Sequence, residues 1–587
     1  MLYKTSLLLL HLLIMINAEA QKTKSSPAKA NTASASNLQL QKKLDSIFSS
    51  FNKSTPGVAV TVIDNGKVIA KKAYGMASLE HNIPFTHNSV LRLPYSEGRE
   101  FISIAAVLME REGILNLEDK VHKYFPKLPV WSESVTVHDL LNHSSGFADE
   151  WATLLLTQAS MSNRFDAAQF LNFLYTQPKP EIEPGKGYMY CNSDFGLLKM
   201  ILEKASGENL RTWMKKKMFD PLGMKSTLLH DDKNEVIKNF ALEYQPSGNK
   251  KFRSWTGDKT SPGGNYYIAT SANDLERWAT AHADQNSNIA KATARLFNNA
   301  RLMPGADKNY AFGLKHRNDH NTSIIAHQGV SDRTYITRVP SKGLTVIVIG
   351  NNDIEHHIFH KEILDHVLAT SSTPFINKKF EKTPVQYSQQ ALEQFTGRYI
   401  DEDTLTYESF VKDKKNILDF IILNDSLKWR YNKTEIIPLV PIAKNVFKDP
   451  DYEVYIEFIP SSNGSMKINT HAHHQNKIYK HVKEETVLWK PSKQMLAIFS
   501  GKYYSKHLDF YWNIIQNEEG KLIIKRSTIA DTELEPETEN EFLVKVEKRP
   551  GNNFNAWVKF HTDDKGEITH LTVWHPRLMD HRFDKVQ

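Results

Sequence analysis

The sequence predicts an α/β (α+β) domain over residues 37–370, with an antiparallel sheet flanked by helices and a helical subdomain, followed by two small all-β barrel-like modules. Three observations predict it. β-branched runs stand near the start of this region and again near its end, the stretch between them reads as helical, and the chain beyond residue 388 repeats itself in short alternating runs.

Each element has a local cause. The opening MLYKTSLLLLHLLIMINAEA has a lysine, an apolar run from Leu7 to Ile16 broken only by His11, and the cleavage-like Ala18-Glu19-Ala20. Residues 1–20 are therefore expected to be a signal peptide, and the protein to be exported to a periplasm or secreted. No later stretch reaches the roughly 18 uninterrupted apolar residues of a membrane span, so none is expected after signal removal. Residues 21–36 are rich in Lys, Ser, Ala and Thr, which predicts a disordered spacer with folding starting near Leu38.

VAVTVIDNGKVIAKKAYG, residues 58–75, sets Asp64-Asn65-Gly66 between two β-branched runs and predicts a hairpin. GLTVIVIGNN, residues 343–352, predicts a further strand. Between them, Ser96 to Glu112 reads as a helix, with Ser96 as N-cap, Glu97 in the first turn and Gly113 as the stop. Phe101, Ile102, Ile104, Ala105, Val107, Leu108 and Met109 would cover every face of it, the pattern of a buried central helix.

Residues 371–388 read as a linker. Beyond it, Phe395-Thr396-Gly397-Arg398-Tyr399 returns as Phe499-Ser500-Gly501-Lys502-Tyr503, and Phe458, Gly464 and Met466 return as Phe560, Gly566 and Ile568. Two homologous β modules follow, at 389–490 and 491–587.

Composition narrows the function. With 40% hydrophobic and 24% charged residues the chain is globular, and its 587 residues suit several domains. The net charge of +7 comes from 74 basic and 67 acidic residues spread along the chain. Apart from the tail with Lys22, Lys24 and Lys29 there is no concentrated basic run with interleaved aromatics, so no nucleic-acid partner is expected. Cys191 is the single cysteine, which rules out an intrachain disulfide. His471, His473 and His474 cluster, and His356 and His360 have helical spacing, yet neither forms a complete ligand set, so no metal or other cofactor is expected.

Three short motifs carry chemistry: Ser96-Glu97-Gly98-Arg99, Tyr190-Cys191-Asn192 and His327-Gln328-Gly329. A serine opening a buried helix lies near unpaired N–H groups and the positive end of the helix dipole, which suits a nucleophile as well as a cap. Each motif alone has an ordinary reading: a cap, a loop tyrosine beside a capping asparagine, and a structural histidine. Cys191, between two residues expected to face a site, should point into packing.

In this order the three resemble the active-site triplet of serine β-lactamases, penicillin-binding proteins and related esterases and D-aminopeptidases. The resemblance covers about residues 40–370. It is supported by Leu140-Leu141-Asn142-His143-Ser144-Ser145-Gly146-Phe147, by Gly263-Gly264 and by Thr270 to Leu275, which should be scaffold and site wall. It implies Ser96 as nucleophile, Tyr190 as base or proton relay, Asn192 as a hydrogen-bonding partner of the substrate amide, and His327 lining the pocket. Gly329 would let the substrate backbone approach a strand edge, and the N–H groups of Ser96 and Val330 would form the oxyanion hole.

One letter departs. The family's first motif is SxxK, and Arg99 stands at the lysine, aligned with one inserted residue; the literal Ser50-Phe51-Asn52-Lys53 precedes the first strand and is a coincidence. A guanidinium with a pKa above about 12 cannot serve as base, which leaves Arg99 as a fixed positive charge and Tyr190 as the candidate base. Ser331-Asp332-Arg333-Thr334 also departs from the usual continuation of the third motif. The implied function is an exported serine hydrolase acting on an ester or amide, D-amino-acid peptides included, through a serine acyl-enzyme. The alternative is a catalytically silent descendant that binds peptides or cell-wall fragments. An adhesion protein would fit the β modules, which resemble those trailing D-aminopeptidases, but would leave the ordered motifs unexplained.

Overall fold

The structure, a computed structural model, describes residues 27–586 except 94–97, 157–165, 233, 247–250, 255–266, 285, 299–309, 320–321, 329–332, 353–355, 369–384, 402–416, 431–435, 450–453, 462–465, 473–476, 484–488, 526–530, 550–551 and 576. The proposed signal peptide and nearly all of the linker therefore lie outside the described residues. Helix α1 (Pro27–Ile47) runs through residues 27–36, where composition predicts a disordered spacer. The alanines there favour helix, and Leu40, Leu44 and Ile47 anchor its end against the sheet.

The hairpin forms as predicted. Strands β1 (Val58–Asp64) and β2 (Lys67–Tyr74) are joined by Asn65 and Gly66, both at positive φ, as a tight two-residue turn requires. The sheet is completed by β3 (Tyr310–Ala311), β4 (Leu314–Asp319), β5 (Thr322–Gln328), β6 (Thr334–Val339) and β7 (Leu344–Gly350). Its order is β3-β4-β5-β6-β7-β1-β2, antiparallel throughout.

Alternation along β1 divides the core. Val58, Val60 and Val62 face Leu44 of α1, Phe48 just beyond its end, and Ile363 and Leu364 of a helix at His356–Val367. Ala59 and Ile63 join the larger core on the other face. There lies α2 (Arg99–Arg111), in which every residue from Arg99 to Met109 is buried, the central helix the sequence predicts. Its described start is Arg99, with Gly98 at the N-cap and no side-chain cap, and Gly113 stops it at φ +71°. Ser96 and Glu97 lie outside the described residues. The helical subdomain includes α3 (Asn192–Ser206), and α4 (Ala272–Ala283) begins where Ser271 accepts a hydrogen bond from the Asp274 N–H.

Residues 501–586 close an eight-stranded barrel, while the first module forms a nine-stranded sheet. The two edge strands of that sheet, Ile436–Pro438 and Val440–Ala443, are separated by Leu439 alone, so it curls back on itself much as its repeat does. The repeated motif has a structural role in both modules. The Tyr399 and Tyr503 hydroxyls donate to the carbonyls of Phe395 and Phe499, four residues earlier, and each tyrosine is fully buried.

The second module docks on the α/β domain, and the two share one continuous apolar core. Trp512 Nε1 donates to the Leu156 carbonyl at 2.9 Å, and His507 Nε2 donates to the Phe173 carbonyl at 2.9 Å while its ring stacks on Phe173. The Met579 N–H donates to the half-buried Glu181 carboxyl, whose titration desolvation pushes up to about 8. Among the described residues no helix is long and apolar enough to cross a membrane.

Candidate functional site

The N-terminal turn of α2 carries Arg99 into the interior, where its side chain is 1% exposed. Nη2 donates to Asn192 Oδ1 at 2.7 Å and Nη1 to His143 Nε2 at 2.9 Å. The guanidinium carbon lies 4.3 Å from the centre of the Tyr190 ring and 4.8 Å from that of Phe195. Residues 93 positions apart in sequence, Arg99 and Asn192, are thus in direct contact. Gly313 makes room: a Cβ there would sit 2.8 Å from Arg99 Cβ, and its φ of +81° suits glycine.

His143 is the hinge of a buried polar network. A guanidinium only donates, so Nε2 must accept and the ring hydrogen sits on Nδ1, 2.9 Å from Asp194 Oδ2. Ser145 Oγ donates to the other Asp194 oxygen, and the Tyr310 hydroxyl lies 3.1 Å from His143 Nε2. Burial pushes His143 well below its ordinary range, helped by the charges of Arg99 and Arg577. Burial also pushes Asp194 well above its own, against the Ser145 hydrogen bond and Arg99. Both shifts favour neutral forms.

The far side of Asn192 meets a second carboxyl group. Asp149 Oδ2 accepts from the Asn192 backbone N–H at 2.9 Å and from Nδ2 at 3.1 Å, and Oδ1 accepts from the Ala152 N–H at 2.8 Å. This fixes the amide's orientation, oxygen toward Arg99 and nitrogen toward Asp149. Cys191, not Asn192, is the N-cap of α3. Its thiol is buried against the Phe147 carbonyl and burial pushes its pKa well up, so it points into packing as expected.

From the second β module Arg577 reaches the same cluster. Its guanidinium carbon is 4.6 Å from the centre of the Tyr190 ring and 5.4 Å from that of Trp151, and Nη1 is 3.9 Å from Asp149 Oδ2. Tyr190 is therefore approached by one arginine from each end of the chain.

The third motif ends β5, with His327 opposite Ile336 and Gln328 opposite Tyr335. Gly329 and Val330, like Ser96, Gly263 and Gly264, lie outside the described residues. Arg333, in the departing continuation, is buried with Nη1 2.7 Å from Glu243. Ser50 and Lys53 are exposed, away from this cluster. His471 pairs with Glu457 at 3.0 Å, and His360 is buried against Tyr335.

Tyr310, Gly313, Asp149, Asp194 and Arg577 were not marked by the sequence. Asp194 had the nearest signal, two residues past Asn192. Arg577 had none, because only the docking of the barrel brings it here.

The family model described as Beta-lactamase matches residues 44–367. The D-aminopeptidase of Brucella anthropi is 29% identical over 289 residues, which are 47% of this chain and 52% of that protein. The D-aminopeptidase of Cereibacter sphaeroides is 25% identical over 326 residues, 54% of this chain and 60% of that one. The chain thus spans about half to three-fifths of the D-aminopeptidases it matches. An octameric penicillin-binding protein homologue from Pyrococcus abyssi shares the fold, with a TM-score of 0.50 at 20% identity over 76% of this chain and 99% of that one. The match takes in the central helix, the Tyr190-Cys191-Asn192 turn and the strand that carries His327, and by it the chain belongs to the β-lactamase family.

Proposed function

We propose that the protein is an exported serine hydrolase that cleaves an ester or amide, D-amino-acid peptides among them, through an acyl-enzyme on Ser96. The contact that carries this reading is Arg99 on Asn192 beneath the Tyr190 ring, which brings the first and second motifs together. Export rests on residues 1–20 alone.

In this mechanism Tyr190 enters as the phenolate beside the Arg99 charge, Ser96 Oγ attacks the carbonyl carbon, and its proton passes to the phenolate oxygen. The oxyanion accepts hydrogen bonds from the N–H groups of Ser96 and Val330. Tyr190 returns the proton to the leaving amine or alcohol as the C–N or C–O bond breaks, and water then releases the acid by the same steps in reverse. Arg99 takes no proton and acts as a fixed charge that orients Asn192. One hydrogen on Asn192 Nδ2 and one lone pair on Oδ1 remain for the substrate amide.

A second reading has its own observation. The lysine's place holds a buried guanidinium that cannot accept a proton, which favours a silent site that binds peptides or cell-wall fragments. Incubation with a fluorescent penicillin and a fluorophosphonate, read by intact mass, separates the two. Labelling of wild type that vanishes in Ser96→Ala supports the hydrolase; labelling that appears only in Arg99→Lys supports the silent site.

A further inference from the structure

The barrel grips the α/β domain at two places. At the first, Trp512 donates to the carbonyl of Leu156, the last residue of the helix Glu150–Leu156. Asp149, just before that helix, accepts from the Ala152 N–H within it and from the backbone and side-chain nitrogens of Asn192. The barrel therefore holds the far end of the helix whose near end orients Asn192. At the second place, two histidines of the barrel lie face to face. His507, in the turn between Gly501–Ser505 and Phe510–Gln516, stacks on Phe173 with ring centres 4.8 Å apart, and on His581 of the strand Leu578–Val586 at 5.3 Å.

The contact suits neutral rings. His507 Nε2 carries a hydrogen, because the Phe173 carbonyl only accepts, and His581 Nε2 lies 3.0 Å from Ser505 Oγ. A second proton on each ring would set two like charges 5.3 Å apart, and no carboxylate among the described residues is bonded to either. The other ionisable groups of this contact are Lys179 and Glu181 of the α/β domain and Asp580 of the barrel. Lys179 lies 3.8 Å from Asp580, and Glu181 accepts from the Met579 N–H. We infer that this docking face is an acid-released clamp: protonation of the His507–His581 pair loosens the barrel and, through Leu156, the helix that holds Asn192. Burial pushes His507 down against its bond to Phe173, and burial, then His507 and Lys179, push His581 down to about 3. The pair's contribution to docking is therefore complete above about pH 6.5 and is lost as pH falls. Glu181 acts in the opposite sense: desolvation pushes it up to about 8, so its contribution fades as pH rises from about 4.5. Two histidines outweigh one carboxyl group on the acid side. That the clamp regulates a hydrolase rests on reading the Tyr190 cluster as the substrate site.

The test is hydrogen exchange of the full-length protein at pH 6.5 and pH 4.5, read peptide by peptide and corrected for the intrinsic rate at each pH. Residues 150–156, 171–181, 505–512 and 578–582 are expected to exchange about tenfold faster at pH 4.5, while the core strands Val58–Asp64 and Leu344–Gly350 keep their protection. Changing both His507→Gln and His581→Gln leaves a donor near each Nε2 position and removes the titrating rings, so the acid response should vanish. His507→Gln alone, at the less buried ring, should remove about half of it on a logarithmic scale, and it decides the matter if the double variant does not fold. Equal exchange at the two pH values in wild type, loosening of the core strands to the same extent, or an acid response that survives these changes overturns the inference. If the response behaves as expected but Ser96 takes no acyl probe at either pH, the hydrolase reading falls and the clamp stands.

Discussion

Arg99 and Glu100 are neighbours at the start of one buried helix, and their side chains meet opposite kinds of surroundings. Glu100 is answered within the core: Arg338 Nη2 lies 2.8 Å and Nη1 3.1 Å from its oxygens, Trp278 Nε1 donates at 2.9 Å, and His282 Nε2 is 3.2 Å away. Burial alone would raise the Glu100 pKa, but Arg338 and then His282 hold it well below the ordinary carboxylate range. Arg99 instead donates to an amide oxygen and a neutral imidazole and lies against two rings. Charge balanced by opposite charge makes scaffold. Charge held by neutral acceptors beside a half-buried tyrosine keeps a field where a substrate would sit.

The comparison breaks most readily on the Glu100 side. Glu100→Ala leaves the Arg338 guanidinium buried without its carboxylate and should cost about 3–5 kcal/mol, read as a fall in the urea midpoint. Next in size is acid sensitivity. His282 is pushed down to about 4 by burial first and then by Arg338. Between about pH 4 and 6.5 the unfolded chain binds a proton at this histidine that the folded one refuses. This contribution to stability is complete above pH 6.5 and is lost as pH falls toward 4, amounting to about 3 kcal/mol. His143, His507 and His581 are pushed down as well, so the measurement is a difference. The stability gap between wild type and His282→Gln should shrink from pH 7 to pH 4; a gap that stays constant would show that His282 is not linked to folding.

Local signals made much of the frame legible. Asp64-Asn65-Gly66 sets a turn by itself, and the repeated Phe-x-Gly-x-Tyr works because its hydrogen bond spans four residues. The site was legible only as motifs, since nothing local ties Arg99 to Asn192. His143 fell in a segment read as scaffold and site wall, and it is the residue that joins Arg99 to Asp194. Gly313 shows why the remainder stayed hidden. Its need for glycine comes from Arg99, whose Cβ lies 2.8 Å from where a side chain would begin. Gly313→Ala combines that clash with φ +81° and should cost about 2 kcal/mol, measured by urea unfolding, with altered acyl-probe labelling as Arg99 is displaced.

The smallest stability effect belongs to the residue with the largest functional consequence. An arginine fork spans Asn192 Oδ1 and His143 Nε2 at once, at 2.7 and 2.9 Å, and a lysine ammonium is a single shorter point that keeps the charge but reaches one of them. Tyr310, 3.1 Å from His143 Nε2, is placed to donate in the lost partner's stead. Arg99→Lys should therefore cost only about 1 kcal/mol in unfolding free energy, far less than Glu100→Ala next to it. Yet it replaces a group that cannot release its proton with one that can, beside Tyr190. Faster labelling of Ser96 in a variant of nearly unchanged stability would separate the two neighbours cleanly. A loss of stability comparable to that of Glu100→Ala would mean that Arg99 is scaffold too, and that the contrast drawn along this helix is wrong.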